Sequence, residues 1–92
     1  MNELLGKIEN TAVLLYQNKE EEGIAETKRL IQQFQNIIQG MTEEQLSGGG
    51  KFAFVMLKEL VENYQQQDML GMADCLMEKS VLFVRFLNET DK

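Results

Sequence analysis

The spacing of the apolar residues constrains this chain most, because they recur at intervals of three and four positions. The pattern is clearest over residues 24–41, where one arc of about 140° collects them on a helix winding about 100° per residue. The members are Ile24, Thr27, Leu30, Ile31, Phe34, Ile37, Ile38 and Met41. Glu20 to Glu22 suit a first helical turn, where the helix dipole favours anions, and Gly40 suits a helix end. The spacing therefore predicts a helix over about 20–40.

Three more segments follow the same spacing. The first runs from about Asn2 to Asn18, and Phe52 is the first apolar residue of the third. The fourth runs from an N-cap at Asp68 to about Asn88. The chain has no proline and is rich in leucine, glutamate, glutamine, lysine and methionine, which favour helices. The predicted fold class is all-α, an up-and-down antiparallel four-helix bundle built from two helical hairpins.

A chain of 92 residues suits one small domain. We expect hairpin one over about 2–40, a linker over about 41–50 and hairpin two over about 51–89. A shift of 48 positions places Tyr16 on Tyr64, and the sequence GIAE at residues 23–26 on GMAD at residues 71–74. The match indicates either an internal duplication or chance similarity between two amphipathic hairpins.

The stretch SGGGKFAF, residues 47–54, contains three glycines and a lysine, as phosphate-binding loops do. Such a loop needs a glycine where Gln45 stands and a hydroxyl where Phe52 stands, so a nucleotide site is not predicted. Three consecutive glycines cost about 3 kcal/mol in a helix interior, so we expect the helix to end here. Thr42 and Gln45 have the spacing of a capping box and predict one short turn before the glycines.

The composition excludes several functions. The net charge is −6, from 9 basic and 15 acidic residues, which disfavours nucleic acid and anionic membranes as partners. Cys75 is the only cysteine, and no apolar run approaches the roughly 18 residues of a membrane span. The first ten residues, MNELLGKIEN, lack the order of a secretion signal. These features predict a cytoplasmic protein.

Catalytic chemistry has few candidate residues. There is no histidine, so the commonest general base and zinc ligand are missing. Glu59 and Glu62 form an E-x-x-E pattern that resembles the first magnesium motif of all-helical nucleotide pyrophosphatases. Their second motif, E-x-x-D, is not matched by Asp74 and Glu78, which are four positions apart. A divalent-metal nucleotide hydrolase is therefore the alternative, and we predict a non-enzyme with no cofactor and no catalytic or metal-binding residue.

The fourth predicted helix carries more apolar residues than one face of a bundle helix needs. The surplus indicates either a deeply packed helix or an apolar surface that binds a partner or a second copy. The candidate partner-binding residues are Cys75, Leu82 and Phe86 on this helix, with Val13, Leu14 and Val55 on the first and third. For Cys75 the alternative is a buried structural cysteine.

The stretch LVENYQQQDMLGMAD, residues 60–74, resembles the helix–break–helix corner of small bacterial helical proteins such as the flagellar export chaperones of the FliS and FliT kind. Those proteins are acidic and all-helical, and they cover aggregation-prone helices of flagellar subunits. The resemblance implies a chaperone or adaptor that binds a protein, and it assigns no residue roles. A purely structural homo-oligomeric domain is the other alternative.

Overall fold

The computed structural model describes residues 2–90, and every element within that range is helical. The α-helices are α1 (Asn2–Tyr16), α2 (Glu20–Gln39), α3 (Glu43–Gln45), α4 (Lys51–Gln65), α5 (Met69–Cys75) and α6 (Val81–Thr90). A π-helical segment, Leu46–Gly50, joins α3 to α4, and a second, Leu76–Ser80, joins α5 to α6. The predicted all-α class is confirmed for these residues.

The two π-helical segments join shorter helices into two long ones without a break. Residues 43–65 form the third long helix, and residues 69–90 form the fourth. Helix α1 contacts α2 and α5, and α4 also contacts α2 and α5, so the contacts between these helices form a ring. The second π-helical segment and α6 also contact α1, so α1 lies along both halves of the fourth long helix.

The predicted helix end at the glycines is wrong, because the backbone remains helical from residue 43 to residue 65. Gly50 has φ −65° and ψ −14°, within the right-handed helical region. A Cβ atom at Gly50 would lie 2.8 Å from the backbone oxygen of Gln45, so this π turn requires a residue without a side chain. The break between α2 and α3 is shorter than the expected linker and consists of residues 40–42.

The short turn before the glycines has the predicted capping box. The Gln45 backbone N–H donates to Thr42 Oγ1 at 3.1 Å, and the Thr42 N–H donates to Gln45 Oε1 at 2.9 Å. These two bonds satisfy backbone donors that the start of a helix leaves free. The cap thus fixes where the third long helix begins.

The corners after α1 and after α4 share one hydrogen-bond pattern. Asn18 has φ 61°, its N–H donates to the Leu15 oxygen, and the Lys19 N–H donates to the Leu14 oxygen. This is the Schellman arrangement, and it recurs around Gln67, which has φ 54°. The two corners are therefore 49 positions apart, one more than the sequence match. One residue rotates a helix by about 100°, so the matched tyrosines do not occupy equivalent positions.

Candidate functional site

The surface that most resembles a binding site is one side of the fourth long helix, called here the outer face. Leu70, Met77 and Leu82 are 63%, 42% and 51% exposed there, although they are large and apolar. The other members of the outer face are charged and exposed, and they are Asp74, Glu78, Arg85 and Glu89. The opposite side of the same helix is buried in the core, through Met72, Leu76, Ser80, Phe83, Val84 and Leu87.

The π-helical segment Leu76–Ser80 brings the apolar residues of this face into line. In an uninterrupted α-helix, Leu82 would be rotated by about 120° from Leu70, at 3.6 residues per turn. A π turn closes its hydrogen bonds over five residues and rotates less per residue than an α-helix. The side chains of α6 are therefore rotated back toward the side of the helix that those of α5 occupy. Ser80 lies in this segment, and its buried Oγ has no hydrogen-bond partner among the described residues.

Leu82 and Phe86, two of the predicted binding residues, lie four positions apart on α6 and so share one side of it. Leu82 is exposed, whereas Phe86 is half-buried against the core. Phe86 also lines a cleft of about 460 Å³. The other residues lining this cleft are Thr42, Glu44, Gln45 and Gly48. The aromatic ring therefore lies where α6 approaches the start of the third long helix.

The remaining predicted residues are spread over other helices. Val13 on α1 and Val55 on α4 are exposed, as a binding role requires. Leu14 is partly buried and lines a groove between α1 and α2, together with Lys7 and Arg29. The six predicted residues therefore do not all lie on one surface.

Cys75 does not belong to any surface, which corrects its prediction as a partner-binding residue. Its side chain is 2% exposed, and its Sγ donates to the backbone oxygen of Met56 at 3.7 Å. Burial raises the pKa of the Cys75 thiol to about 12, with a further contribution from the charge of Glu59. The alternative of a buried structural cysteine is the one that the structure supports.

We expect the Cys75 thiol to be unreactive toward thiol reagents in the native protein near pH 8. A pKa of about 12 instead of 9 lowers the thiolate fraction about a thousandfold. The unfolded thiol ionises near pH 9 while the folded one stays protonated, so stability should fall as the pH rises from about 9 toward 12. Urea denaturation at several pH values measures this fall, and Cys75→Ala should show a smaller one. An equal fall in both proteins would contradict the assignment.

The structure also exposes apolar side chains that the sequence analysis did not select. Leu70 and Met77 on the fourth long helix and Phe54 on α4 are exposed, and none of the three is among the predicted binding residues. The available clue was the polar arc of Asp74 and Glu78, because residues beside a charged arc lie at the edge of the core. That clue indicates exposure and does not indicate binding.

Two polar contacts connect the fourth long helix to neighbouring helices. The Tyr16 hydroxyl donates to Asp74 Oδ1 at 2.8 Å, and this bond raises the pKa of Tyr16. Lys79 forms an ion pair with Glu59 of α4, and this bond raises the pKa of Lys79. Asp74 and Glu59 are therefore each engaged by another side chain of the protein.

The four carboxylates of the hydrolase alternative do not form a metal site here. Within residues 2–90, no three side chains of the histidine, cysteine, aspartate and glutamate types are grouped so that they could hold a metal ion. Glu59 pairs with Lys79, and Asp74 accepts the hydrogen bond from Tyr16. The geometry gives no support to that alternative.

Comparison of the chain with protein-family models, with curated proteins and with solved structures found no match. Among residues 2–90, no helix has both the length and the apolar character that crossing a bilayer requires.

Proposed function

We propose that the protein is a non-catalytic helical module that binds another protein, or itself, through the outer face of its fourth long helix. The observation that carries the proposal is the exposure of Leu70, Met77 and Leu82 along one side of that helix. Apolar side chains aligned on a helix are the usual contact surface for a second helix, and methionine adapts its packing to different partners. The chaperone-like or adaptor-like part of the proposal rests on the sequence resemblance given above.

The proposal includes an up-and-down four-helix bundle in the cytoplasm as the scaffold of this face. The ring of helix contacts supports this arrangement. The end of α1 touches the first half of the fourth long helix through Tyr16 and Asp74, as antiparallel neighbours do. Such a scaffold holds α5 and α6 rigidly, so the binding residues need little ordering when a partner arrives.

Leu82→Glu should abolish or strongly weaken binding while the protein stays folded. The substitution places a carboxylate near the middle of the outer face, and a charge buried in an interface without a partner is costly. Binding is measured as capture of partners from the native cell extract and as self-association by sedimentation velocity. We expect at least a tenfold loss, which corresponds to about 1.4 kcal/mol.

Phe54→Glu is the matched control, because Phe54 on α4 is exposed to the same extent as Leu82, 51%. Circular dichroism should show that both variants are folded. If Leu82→Glu retains every association of the unmodified protein, the outer face is not the binding surface. If Phe54→Glu has the same effect as Leu82→Glu, the effect comes from added charge and the proposal fails as well.

A further inference from the structure

We propose that the occupant of the outer face is the same face of a second copy of this chain, docked antiparallel about a two-fold axis that passes between Lys79 and Ser80. This inference rests on the proposed function, since it names the partner of that surface. In a two-fold interface each residue i contacts j of the partner and j contacts i, and when the paired helices are antiparallel the sequence numbers of paired residues have a constant sum. A proposed axis can therefore be tested by whether it pairs compatible residues of the outer face.

The apolar residues satisfy this symmetry. Met77 and Leu82 are equally far in sequence from the point between Lys79 and Ser80. Each Met77 therefore meets the Leu82 of the other copy, and both side chains are about half exposed in the single chain. Their contact removes from water the two apolar groups at the centre of the face.

The charged residues satisfy the same symmetry independently. Asp74 and Arg85 are also equally far from the point between Lys79 and Ser80, so Asp74 of one copy meets Arg85 of the other. Arg85 is exposed, and within residues 2–90 its side chain has no ion pair and no hydrogen bond. The dimer pairs each Arg85 guanidinium with one carboxylate, so it contains two such pairs, one on each side of the axis.

The charges of the face also distinguish a second copy from a different partner. A basic amphipathic helix would suit Asp74, Glu78 and Glu89 but would place like charge against Arg85. A second copy accommodates charges of both signs. The dimer is opposed at Glu78, because the two Glu78 residues lie on either side of the axis, about 4.5 Å apart along the helices, and their carboxylates repel each other.

The size of the face indicates a weak, reversible dimer. Residues 70–89 span about 28 Å at 1.5 Å per residue, and one helix side of that length offers less than the roughly 800 Å² per partner of a standard stable interface. Leu70 lies at one end of this span, opposite Glu89 of the other copy, so the outermost layer adds little. We expect the dimer to dissociate on dilution.

The test is a charge exchange between two variants of the full chain. Asp74→Arg sets arginine against Arg85 twice, and Arg85→Asp sets aspartate against Asp74 twice, so each variant should lose at least about tenfold in dimer affinity. An equal mixture of the two variants should recover a dimer, because both cross-pairs are then of opposite charge. Sedimentation equilibrium over a dilution series measures all three samples, and circular dichroism verifies the fold.

Glu78→Gln is the second variant, and it should strengthen the dimer because it removes the repulsion at the axis. Recovery of the dimer in the mixture, together with this strengthening, supports the antiparallel geometry. A dimer unaffected by the single exchanges, or a mixture that stays monomeric, overturns it. If the unmodified chain is monomeric but Leu82→Glu loses a captured protein, the second copy is wrong and the proposed function stands. If Leu82→Glu changes neither measurement, both fail.

Discussion

Replacing Phe83 with alanine should lower the free energy of unfolding by about 3–5 kcal/mol, the usual cost of removing a buried phenylalanine ring. Phe83 is 1% exposed, and its ring packs edge-to-face on Phe34, with centroids 5.8 Å apart and planes at 79°. The loss includes this aromatic contact as well as the cavity. A domain of 92 residues has about 5–14 kcal/mol of stability in total, so the variant should be marginal. Urea denaturation measures the change.

Leu82→Ala is the control, because Leu82 is the neighbouring residue on α6 and is 51% exposed. Its free energy of unfolding should change by no more than about 0.5 kcal/mol, as for most surface substitutions. Comparing Phe83→Ala with Leu82→Ala tests which side of α6 faces the core after the π-helical segment. Similar losses at Phe83 and Leu82 would mean that Leu82 is buried, and the outer face as described would not exist.

Gly50→Ala should destabilise the protein by about 1–3 kcal/mol, the cost of forcing an extra methyl group into a packed site. The added Cβ would lie 2.8 Å from both the Gln45 backbone oxygen and the Met41 Cε. The methionine can move, but the carbonyl belongs to the π turn, so the backbone has to shift. Thermal and urea denaturation measure the loss.

Gly48→Ala is the matched control two residues earlier in the same glycine run. A Cβ at Gly48 meets nothing within 4 Å, and alanine favours helix over glycine by about 1 kcal/mol. This variant should therefore be as stable as the unmodified protein or more stable. Equal destabilisation by Gly48→Ala and Gly50→Ala would show that the glycines act through chain flexibility, and that the close approach at Gly50 is not their reason.

The parts of the fold that follow from local chemistry could be predicted. The spacing between Ile24 and Ile38 identified α2, and Gly40 follows its last residue. Asp68 was predicted as an N-cap, and its side chain accepts the Gly71 N–H at 3.0 Å. Each of these features depends on residues within one or two turns, so the sequence alone contains the necessary information.

The π turns could not be predicted, because periodicity analysis assumes about 100° of rotation per residue throughout a helix. That assumption separated Leu82 from Leu70 by about 120°. The same assumption gave no means of deciding whether Cys75 lies in the core or on the surface. Helix propensity predicted that the helix would end at the three glycines. The π-helical segment Leu46–Gly50 instead continues the helix and needs a glycine at Gly50. Among the predicted binding residues Leu82, Val13 and Val55 are exposed, and their role in binding stays a prediction.

The short corners at Asn18 and Gln67 have a consequence for how the protein folds. Helices adjacent in sequence contact each other, so much of the core joins residues that are close along the chain. Helical proteins with contacts of this kind fold within microseconds to milliseconds. The contacts of α1 with α5 and α6 are the main exception, since they join the first helix to the last. Forming the contacts between α1 and the fourth long helix closes the longest loop, so this step has the largest cost in loop entropy. The same step completes the packing behind the outer face.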